Sequence, residues 1–226
     1  MFKKYILDEK ELKKSYENWF KIAKEIKKFK GKINKKFSKN ELRNLFKNWN
    51  KIYLDFWLTG FLPEISNWGG ERLLKNKIIK SNKANFIEIF EGLSAPDNLS
   101  FFQKEELEFM QIKLIKNRAK QSNALKKHQK EYYWLRNSYG FTKVLDIDYF
   151  RKELNKISIK KAKEKIKEIK DYSKKARERK KELIKKYKIN KEIVNIAEKL
   201  SYCIWWQDYR KTFIFIANHI NSEFIK

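Results

Sequence analysis

The scarcity of glycine and proline constrains the fold of this chain more than any other feature. Only six Gly and two Pro occur among its 226 residues, well below the usage of ordinary globular proteins. These two residues form most turns and end most helices, so the chain has few places to reverse direction and its regular elements must be long. Strictly alternating apolar stretches, the pattern of exposed strands, are almost absent. The sequence therefore predicts an all-α multi-helix bundle.

Polar residues mark where several helices begin. Ser38 and Ser100 are followed three residues later by Glu and Gln, respectively, which is the pattern of a capping box. Asp8 with Glu11 fits a related pattern, and Asp146 is expected to cap a short helix. Since such caps are local in sequence, they predict helix starts without knowledge of the tertiary fold.

A long central helix is expected over residues 100–139, because this segment contains neither Gly nor Pro and is followed by Gly140. The segment 93–99 before it is rich in turn-forming residues. It predicts a boundary between an N-terminal helical lobe, 1–92, and a C-terminal helical lobe, 93–226.

The segment after the short helix is strongly basic. Residues 158–188 carry fifteen Lys or Arg against five Asp or Glu. Seam residues from Ile159 to Tyr187, apolar with two polar exceptions, recur at steps of three and four, as in a coiled coil. Asn190 is placed to cap the last helix, so a charged antiparallel coiled-coil-like hairpin is expected over about 158–224. The charge run is then mostly a solvated helix face.

The formal net charge of +27 makes nucleic-acid binding the alternative function. Only eight of the 55 basic residues are Arg, whereas proteins that read phosphates and bases favour the bidentate Arg fork. Codon bias in an A+T-rich genome also produces a Lys-rich composition. Binding to nucleic acid is therefore expected to be mainly non-specific. Its candidate residues are Lys174, Lys175, Arg177, Arg179 and Lys180.

Cys203 is the only cysteine, which excludes an internal disulfide and fits a reducing compartment. Its aromatic and aliphatic neighbours predict a buried, unreactive thiol. The N-terminus lacks the apolar run of a signal peptide, and no stretch approaches the ~18 apolar residues of a membrane span. These features predict a cytoplasmic protein without a membrane partner.

Two segments combine aromatic and hydrogen-bonding side chains: residues 128–140, the first aromatic block, and residues 205–211, the second. In the second block Gln207 and Lys211 interrupt an apolar helix face. Buried polar groups need partners, so the two blocks are predicted to meet, with their cations turned into a shared crevice. The candidate binding residues are His128, Tyr132, Tyr133, Trp134, Arg136, Tyr139, Trp206, Gln207, Asp208, Arg210 and Lys211.

Three interpretations of these blocks stay open at this point. The first is a polar network that sets helix register. The second is an anion-binding site formed by Arg136, Arg210 and Lys211. The third is acid–base catalysis by His128 or His219.

Metal and nucleotide chemistry find little support. The two His and the single Cys lie far apart without ligand spacing, and no glycine-rich phosphate loop is present. We therefore expect neither a metal nor a cofactor. Glu105, Glu106 and Glu108 are interpreted as favourable charges near the start of the long helix.

The order of these residues nevertheless resembles a known family. The likeness extends from about Asn18 to the end of the chain and rests on order and spacing, not on one diagnostic motif. The residues that carry it are the turn and helix start over 93–106, His128, Tyr133-Trp134, Arg136-Asn137, Tyr139, Val144-Leu145-Asp146, Tyr149-Phe150, the charged helical hairpin and Tyr209-Arg210-Lys211. In these residues the chain resembles the helical region of phosphoenolpyruvate-utilising enzymes, relatives of phosphoenolpyruvate synthase and pyruvate phosphate dikinase.

In that family a separate grasp-type domain binds ATP, and a separate swivelling domain carries a phosphohistidine in a Gly-rich Thr/Ser-His context. This chain lacks both patterns, and neither His128 nor His219 matches the phosphohistidine setting. The resemblance implies a non-catalytic helical module that offers an anion-binding or docking surface at the two aromatic blocks. The partner that it implies is an ATP-grasp or phosphohistidine domain protein encoded nearby.

Overall fold

The computed structural model describes residues 2–33 and 36–225, and all regular elements within them are helical. A short π-helix, Phe2–Ile6, comes first, and a 3-10 turn, Lys83–Asn85, follows the third α-helix. The predicted all-α multi-helix bundle is confirmed. The α-helices are α1 (Glu9–Lys30), α2 (Lys39–Gly60), α3 (Leu62–Asn82), α4 (Phe86–Ser94), α5 (Phe101–Lys113), α6 (Arg118–Tyr132), α7 (Ile147–Asn155), α8 (Ile159–Lys186) and α9 (Lys191–Ile225).

The predicted helix starts are confirmed by side-chain caps. The Ser38 hydroxyl accepts the Glu41 backbone N–H, while the Glu41 carboxylate accepts the Ser38 backbone N–H at 2.8 Å. Ser100 and Gln103 form the same reciprocal pair at the start of α5, and Asp146 caps α7. Each cap satisfies an N–H group that has no partner within its helix.

The backbone stays close to helical between α2 and α3, although a proline follows their junction. Phe61, between the two helices, has helical dihedral angles (φ −74°, ψ −22°), and its N–H donates to the carbonyl four residues earlier at 3.0 Å. Pro63 lies in the first turn of α3, where a missing N–H costs little. The glycine pair leaves α3 unbroken. Gly70 permits a close approach, because a Cβ there would lie 2.6 Å from the Phe2 ring.

The expected continuous helix over residues 100–139 is wrong. The chain forms α5 and α6 instead, joined by a turn at residues 114–117. Asn117 caps α6 by accepting a backbone N–H at 2.9 Å, and Gln121 donates its side-chain amide to a carbonyl at the end of α5 at 3.1 Å. These side chains satisfy backbone groups that the break exposes. Gly140 does not end the helix, because α6 stops well before it.

The long central helix of the bundle is α9, which packs against α1, α2, α3, α4 and α5. Its Leu200 and Trp206 belong to the main hydrophobic core together with Trp19 of α1 and Leu74 of α3. This core therefore includes residues from both sides of the boundary expected at residue 92. A second, smaller apolar cluster includes residues of α5, α6 and α7.

The basic helix α8 packs mainly on α4 and α5. A short turn at residues 187–190 joins it to α9, and Asn190 accepts the N–H of Ile193 at 2.9 Å, so it caps α9 as predicted. The two helices touch at few points, one of them the 2.9 Å hydrogen bond from Lys180 to Ser201. The coiled-coil pairing expected between α8 and α9 is therefore wrong, because α8 packs mainly on α4 and α5.

The loop of residues 95–99 separates α8 from α9. Tyr172 of α8 donates to the carbonyl of Pro96 at 2.9 Å, and Trp205 of α9 donates to the carbonyl of Leu99 at 3.1 Å. Because loop carbonyls have no regular partner, side chains of both helices satisfy them. The loop is thereby bonded to both helices.

Candidate functional site

The first aromatic block lies at the end of α6 and in the turn that follows. Trp134 is fully buried, and its ring centroid lies 5.8 Å from that of Phe101 and 6.1 Å from that of Phe215. Tyr133 is buried in the same main core. These two predicted binding residues therefore fix the turn against α9 and are not open to a ligand.

His128 forms an ion-paired cluster with Glu105 and Glu108, which we call the histidine cluster. The ring is fully buried, with Nε2 at 2.9 Å from a Glu105 oxygen and Nδ1 at 3.2 Å from a Glu108 oxygen. Phe109 stacks on the ring at 5.1 Å, and Phe150 meets it edge-on at 5.3 Å. A carboxylate thus faces each ring nitrogen, an arrangement that stabilises the imidazolium form, in which both nitrogens donate.

The charge of the histidine cluster results from a competition between burial and ion pairing. Burial by itself lowers the pKa of His128, because a charged ring is costly away from water. The hydrogen bonds and charges of Glu105 and Glu108 outweigh this effect, so the pKa is raised above its ordinary value. Because the ring is fully buried and each of its nitrogens already faces a carboxylate, neither nitrogen is open to a substrate or a phosphoryl donor. The cluster suits a structural role.

Tyr132, Arg136 and Tyr139, three further residues of the first aromatic block, lie in different surroundings. The Tyr132 ring lies 4.6 Å from that of His128, and burial raises the pKa of its phenol, which stays neutral. Arg136 donates twice to the Tyr149 hydroxyl, at 3.2 and 3.0 Å. Tyr139 is 64% exposed. Arg136 therefore binds a residue of α7, not a residue of the second aromatic block.

Arg210, in the second aromatic block, is buried, with only 3% of its surface exposed. Its guanidinium donates to the Gly60 carbonyl and to the Glu64 carboxylate, and it lies 5.6 Å from the Trp57 ring. These contacts satisfy a carbonyl at the end of α2 and connect the α2–α3 junction to α9. Arg210 is therefore part of the helix packing.

Trp206 and Gln207 also point into the bundle. Trp206 is fully buried, with its ring 5.5 Å from that of Trp19 and 5.3 Å from that of Tyr16. The side-chain oxygen of Gln207 accepts from Asn67 of α3 at 2.6 Å. This bond supplies the partner that a polar residue on an inward face requires.

Asp208 and Lys211 line a cleft of about 350 Å³ beside the 95–99 loop. One Asp208 oxygen lies 3.4 Å from the backbone nitrogen of Phe101, at the start of α5, and the other lies 3.4 Å from the Lys211 ammonium. The carboxylate therefore already occupies the position at which a helix start favours an anion. The cleft lining also includes Pro96, Asn98, Ser100, Gln103, Tyr172, Ile204, Trp205 and Gln207.

The shared crevice predicted for the two blocks does not form. The first block meets α9 after the second block ends: Asn137 donates to the Phe215 carbonyl at 3.1 Å, and Asn218 donates to the Ser138 carbonyl at 2.9 Å. The expected pairing of Gln207 and Lys211 with the first block is wrong, because their partners are Asn67 and Asp208. Of the three cations, Arg136 contacts Tyr149, Arg210 is buried with Glu64, and Lys211 pairs with Asp208.

Sequence reasoning missed the carboxylates that matter most. Glu105 and Glu108 were assigned to the helix macrodipole, yet they hold His128. Their spacing of three residues places both on one helix face, which was a usable signal. The contact with His128 could not be predicted, because one continuous helix was expected over residues 100–139. In such a helix, residues 105–108 and residue 128 would lie far apart. Glu64, the partner of Arg210, gave no signal beyond its position in a first helical turn.

The basic residues proposed for nucleic acid divide into engaged and exposed groups. Arg179 pairs with Glu88 at 2.8 Å, and Arg177 and Lys180 lie 3.9 and 3.5 Å from Asp97. Lys174 lies 3.9 Å from Glu178, with its side chain 74% exposed. Lys175 is exposed as well. The engaged side chains attach α8 to α4 and to the 95–99 loop.

Two further properties of residues 2–33 and 36–225 bear on function. No three His, Cys, Asp or Glu side chains in these ranges are grouped so as to hold a metal ion. None of the helices there combines the length and the apolar character that crossing a bilayer requires.

Cys203 is buried, as predicted, and burial raises the pKa of its thiol to about 12.

Comparison with known proteins adds no relative: no family model, no curated protein and no solved structure matches this chain. The interpretation of the site therefore rests on its own geometry.

Proposed function

We propose that this chain is a non-catalytic helical docking module that works with a phosphotransfer protein. The association with phosphotransfer rests on the resemblance of the sequence to phosphoenolpyruvate-utilising enzymes. The non-catalytic character is supported by one observation above all, namely that His128 is fully buried with a carboxylate on each ring nitrogen. A histidine held in this way presents neither ring nitrogen to a phosphoryl donor.

The geometry favours docking over anion binding. Arg210 is buried in an ion pair, Arg136 is engaged with Tyr149, and the Asp208 carboxylate balances Lys211. The cations expected to read an anionic ligand are thus largely used within the fold. The proposed partner is an ATP-grasp or phosphohistidine domain protein, and the proposed location is the cytoplasm, which fits the buried thiol of Cys203.

Labelling experiments test this function directly. The chain would be incubated with ³²P-labelled phosphoenolpyruvate, and separately with γ-³²P-ATP, beside a phosphohistidine-domain protein as positive control. We expect no acid-labile label on the chain. Label that disappears in His128→Gln or in His219→Gln would overturn the proposal. Titration calorimetry with any such protein encoded beside this gene tests the docking role, and we expect a saturable complex.

Nucleic-acid binding is the second candidate, favoured by the exposed lysines along the outer face of α8. It requires binding that persists near about 150 mM salt, where bulk charge is strongly screened. Lys174→Gln with Lys175→Gln should weaken such binding, whereas Lys13→Gln with Lys47→Gln, on α1 and α2, is the matched control. Equal effects of the two pairs would show that only the net charge of +27 acts.

A further inference from the structure

An exposed apolar stripe runs along α2 and α3 and has no role in the contacts described above. Its five side chains are large, and between 41% and 75% of each is exposed. They recur at spacings of four, three, four and three residues, which is the seam pattern of a coiled coil. The members of this apolar stripe are Leu54, Leu58, Phe61, Ile65 and Trp68.

The stripe is continuous in space because the backbone stays helical across the α2–α3 junction. Phe61 has helical dihedral angles, and the N–H of Ile65 donates to the Phe61 carbonyl at 3.1 Å. The opposite face is buried in the bundle through Phe56, Gly60 and Leu74. The five side chains therefore lie on the outer side of one helical track, over a length of about 21 Å at 1.5 Å per residue.

Single exposed apolar residues are ordinary on a protein surface, but a contiguous row of them usually marks an interaction site. Here the row is narrow and helical, and it carries side chains at alternating a and d positions. Such a row fits the apolar face of another helix, whose side chains fill the spaces between those of the stripe.

The charges at the two ends of the stripe indicate the character of this partner helix. Lys47 and Lys51 are exposed on the turns before Leu54, and Arg72 is exposed on the turn after Trp68, followed by Lys75. The same positions of the track thus change from apolar to basic at both ends. Acidic residues at both ends of a partner helix would complement them.

Two other occupants fit the stripe less well. A second copy of this chain would bring together two molecules that each carry a net charge of +27, which opposes self-association. A lipid surface selects a broad apolar face with a basic rim. This stripe is narrow, and the partly buried Asp55 and Glu71 lie beside it.

We infer that the apolar stripe of α2 and α3 binds an acidic amphipathic helix of a partner protein. The inference rests on the proposed docking role and names the surface and the chemistry of the partner. The partner helix places apolar residues at heptad spacing against Leu58, Phe61 and Ile65. Its carboxylates lie near Lys51 and Arg72.

A designed peptide probes this surface in the full chain. A fluorescein-labelled helical peptide of about four turns carries Leu at a and d positions and Glu at all others. Its anisotropy is followed during titration with the protein at about 150 mM salt. We expect saturable binding that weakens about tenfold or more in Leu58→Glu with Trp68→Glu, and also in Lys51→Glu with Arg72→Glu. Binding should be unchanged in Ile87→Glu, a matched control that is 65% exposed outside the stripe.

The alternative outcomes are distinct. The inference would be overturned if the acidic peptide bound all variants equally or did not bind at all. It would also be overturned if a Lys-substituted peptide bound with the same affinity. So would a wild-type dimer in light scattering that Leu58→Glu dissociates, or a stripe-dependent association with phosphatidylglycerol vesicles in place of the peptide. Unchanged thermal melting of each variant shows that the fold is intact. Phosphoryl label on the chain would contradict the proposed function and leave this result standing.

Discussion

Arg210 of α9 and Glu64 of α3 form an ion pair inside the bundle although they are 146 positions apart in the sequence. The guanidinium also donates to the Gly60 carbonyl, so one side chain connects α9 with the end of α2 and the start of α3. The apolar stripe passes over the outer side of this same junction. Arg210 therefore stabilises, from the buried side, the α2–α3 junction whose outer side carries the apolar stripe.

Replacing Arg210 is therefore expected to destabilise the fold. Arg210→Met should lower the free energy of unfolding by about 3 kcal/mol, because it leaves the Gly60 carbonyl and the partly buried Glu64 carboxylate without their donor. Urea unfolding followed by circular dichroism measures this loss. Arg136→Met, which removes the contacts to Tyr149, is the control and should cost less than about 1 kcal/mol. Equal losses in the two variants would contradict the structural role of Arg210.

The histidine cluster predicts a pH-dependent stability. The pKa of His128 is raised in the folded protein by Glu105 and Glu108, so its contribution to stability is complete below the unfolded pKa of about 6.5 and is lost as pH rises through the folded pKa. The difference in unfolding free energy between the wild type and His128→Gln should shrink from pH 5.5 to pH 9. A difference that grows over this range would contradict the assignment.

NMR titration of His128 provides the companion measurement. The wild-type ring should titrate above the ordinary histidine value. In Glu105→Gln with Glu108→Gln, burial acts without the opposing carboxylates, and the pKa should fall below the ordinary value.

Gly92 of α4 predicts a sharp difference between two glycine replacements. A Cβ at Gly92 would overlap the buried Leu183 side chain of α8, whereas a Cβ at Gly69 would make an ordinary contact with Phe2 at 3.6 Å. Gly92→Ala should therefore cost about 1–3 kcal/mol through overpacking. Gly69→Ala should gain up to about 1 kcal/mol from helix propensity. Thermal denaturation distinguishes them, and a stabilising Gly92→Ala would show that α4 and α8 do not pack closely there.

Cys203 is expected to resist thiol reagents in the native protein. It is buried, and its pKa is raised to about 12, so almost no thiolate forms near pH 8. Mass spectrometry after iodoacetamide treatment should show an unmodified chain under native conditions and one added group in guanidinium chloride. Rapid native modification would mean that α9 opens readily around this residue.

Local features of the sequence were sufficient to predict the all-α class and most of the helix starts. The caps at Ser38, Ser100, Asp146 and Asn190 involve partners three residues away, so neighbouring residues determine them. The helix break at residues 114–117 escaped prediction although Asn117 is a good cap. Without Gly or Pro, the choice between continuing and stopping a helix depends on what α6 packs against.

The sequence by itself determined that this chain is helical, where most of the helices begin, and that Cys203 is buried. These properties follow from local hydrogen bonding and from the spacing of apolar residues. Only the tertiary structure decided that Glu105 and Glu108 enclose His128, that Arg210 turns inwards to Glu64, and that α8 packs mainly on α4 and α5. Each of these contacts joins different helices, and periodicity shows which face of a helix is apolar but not which helix will cover it.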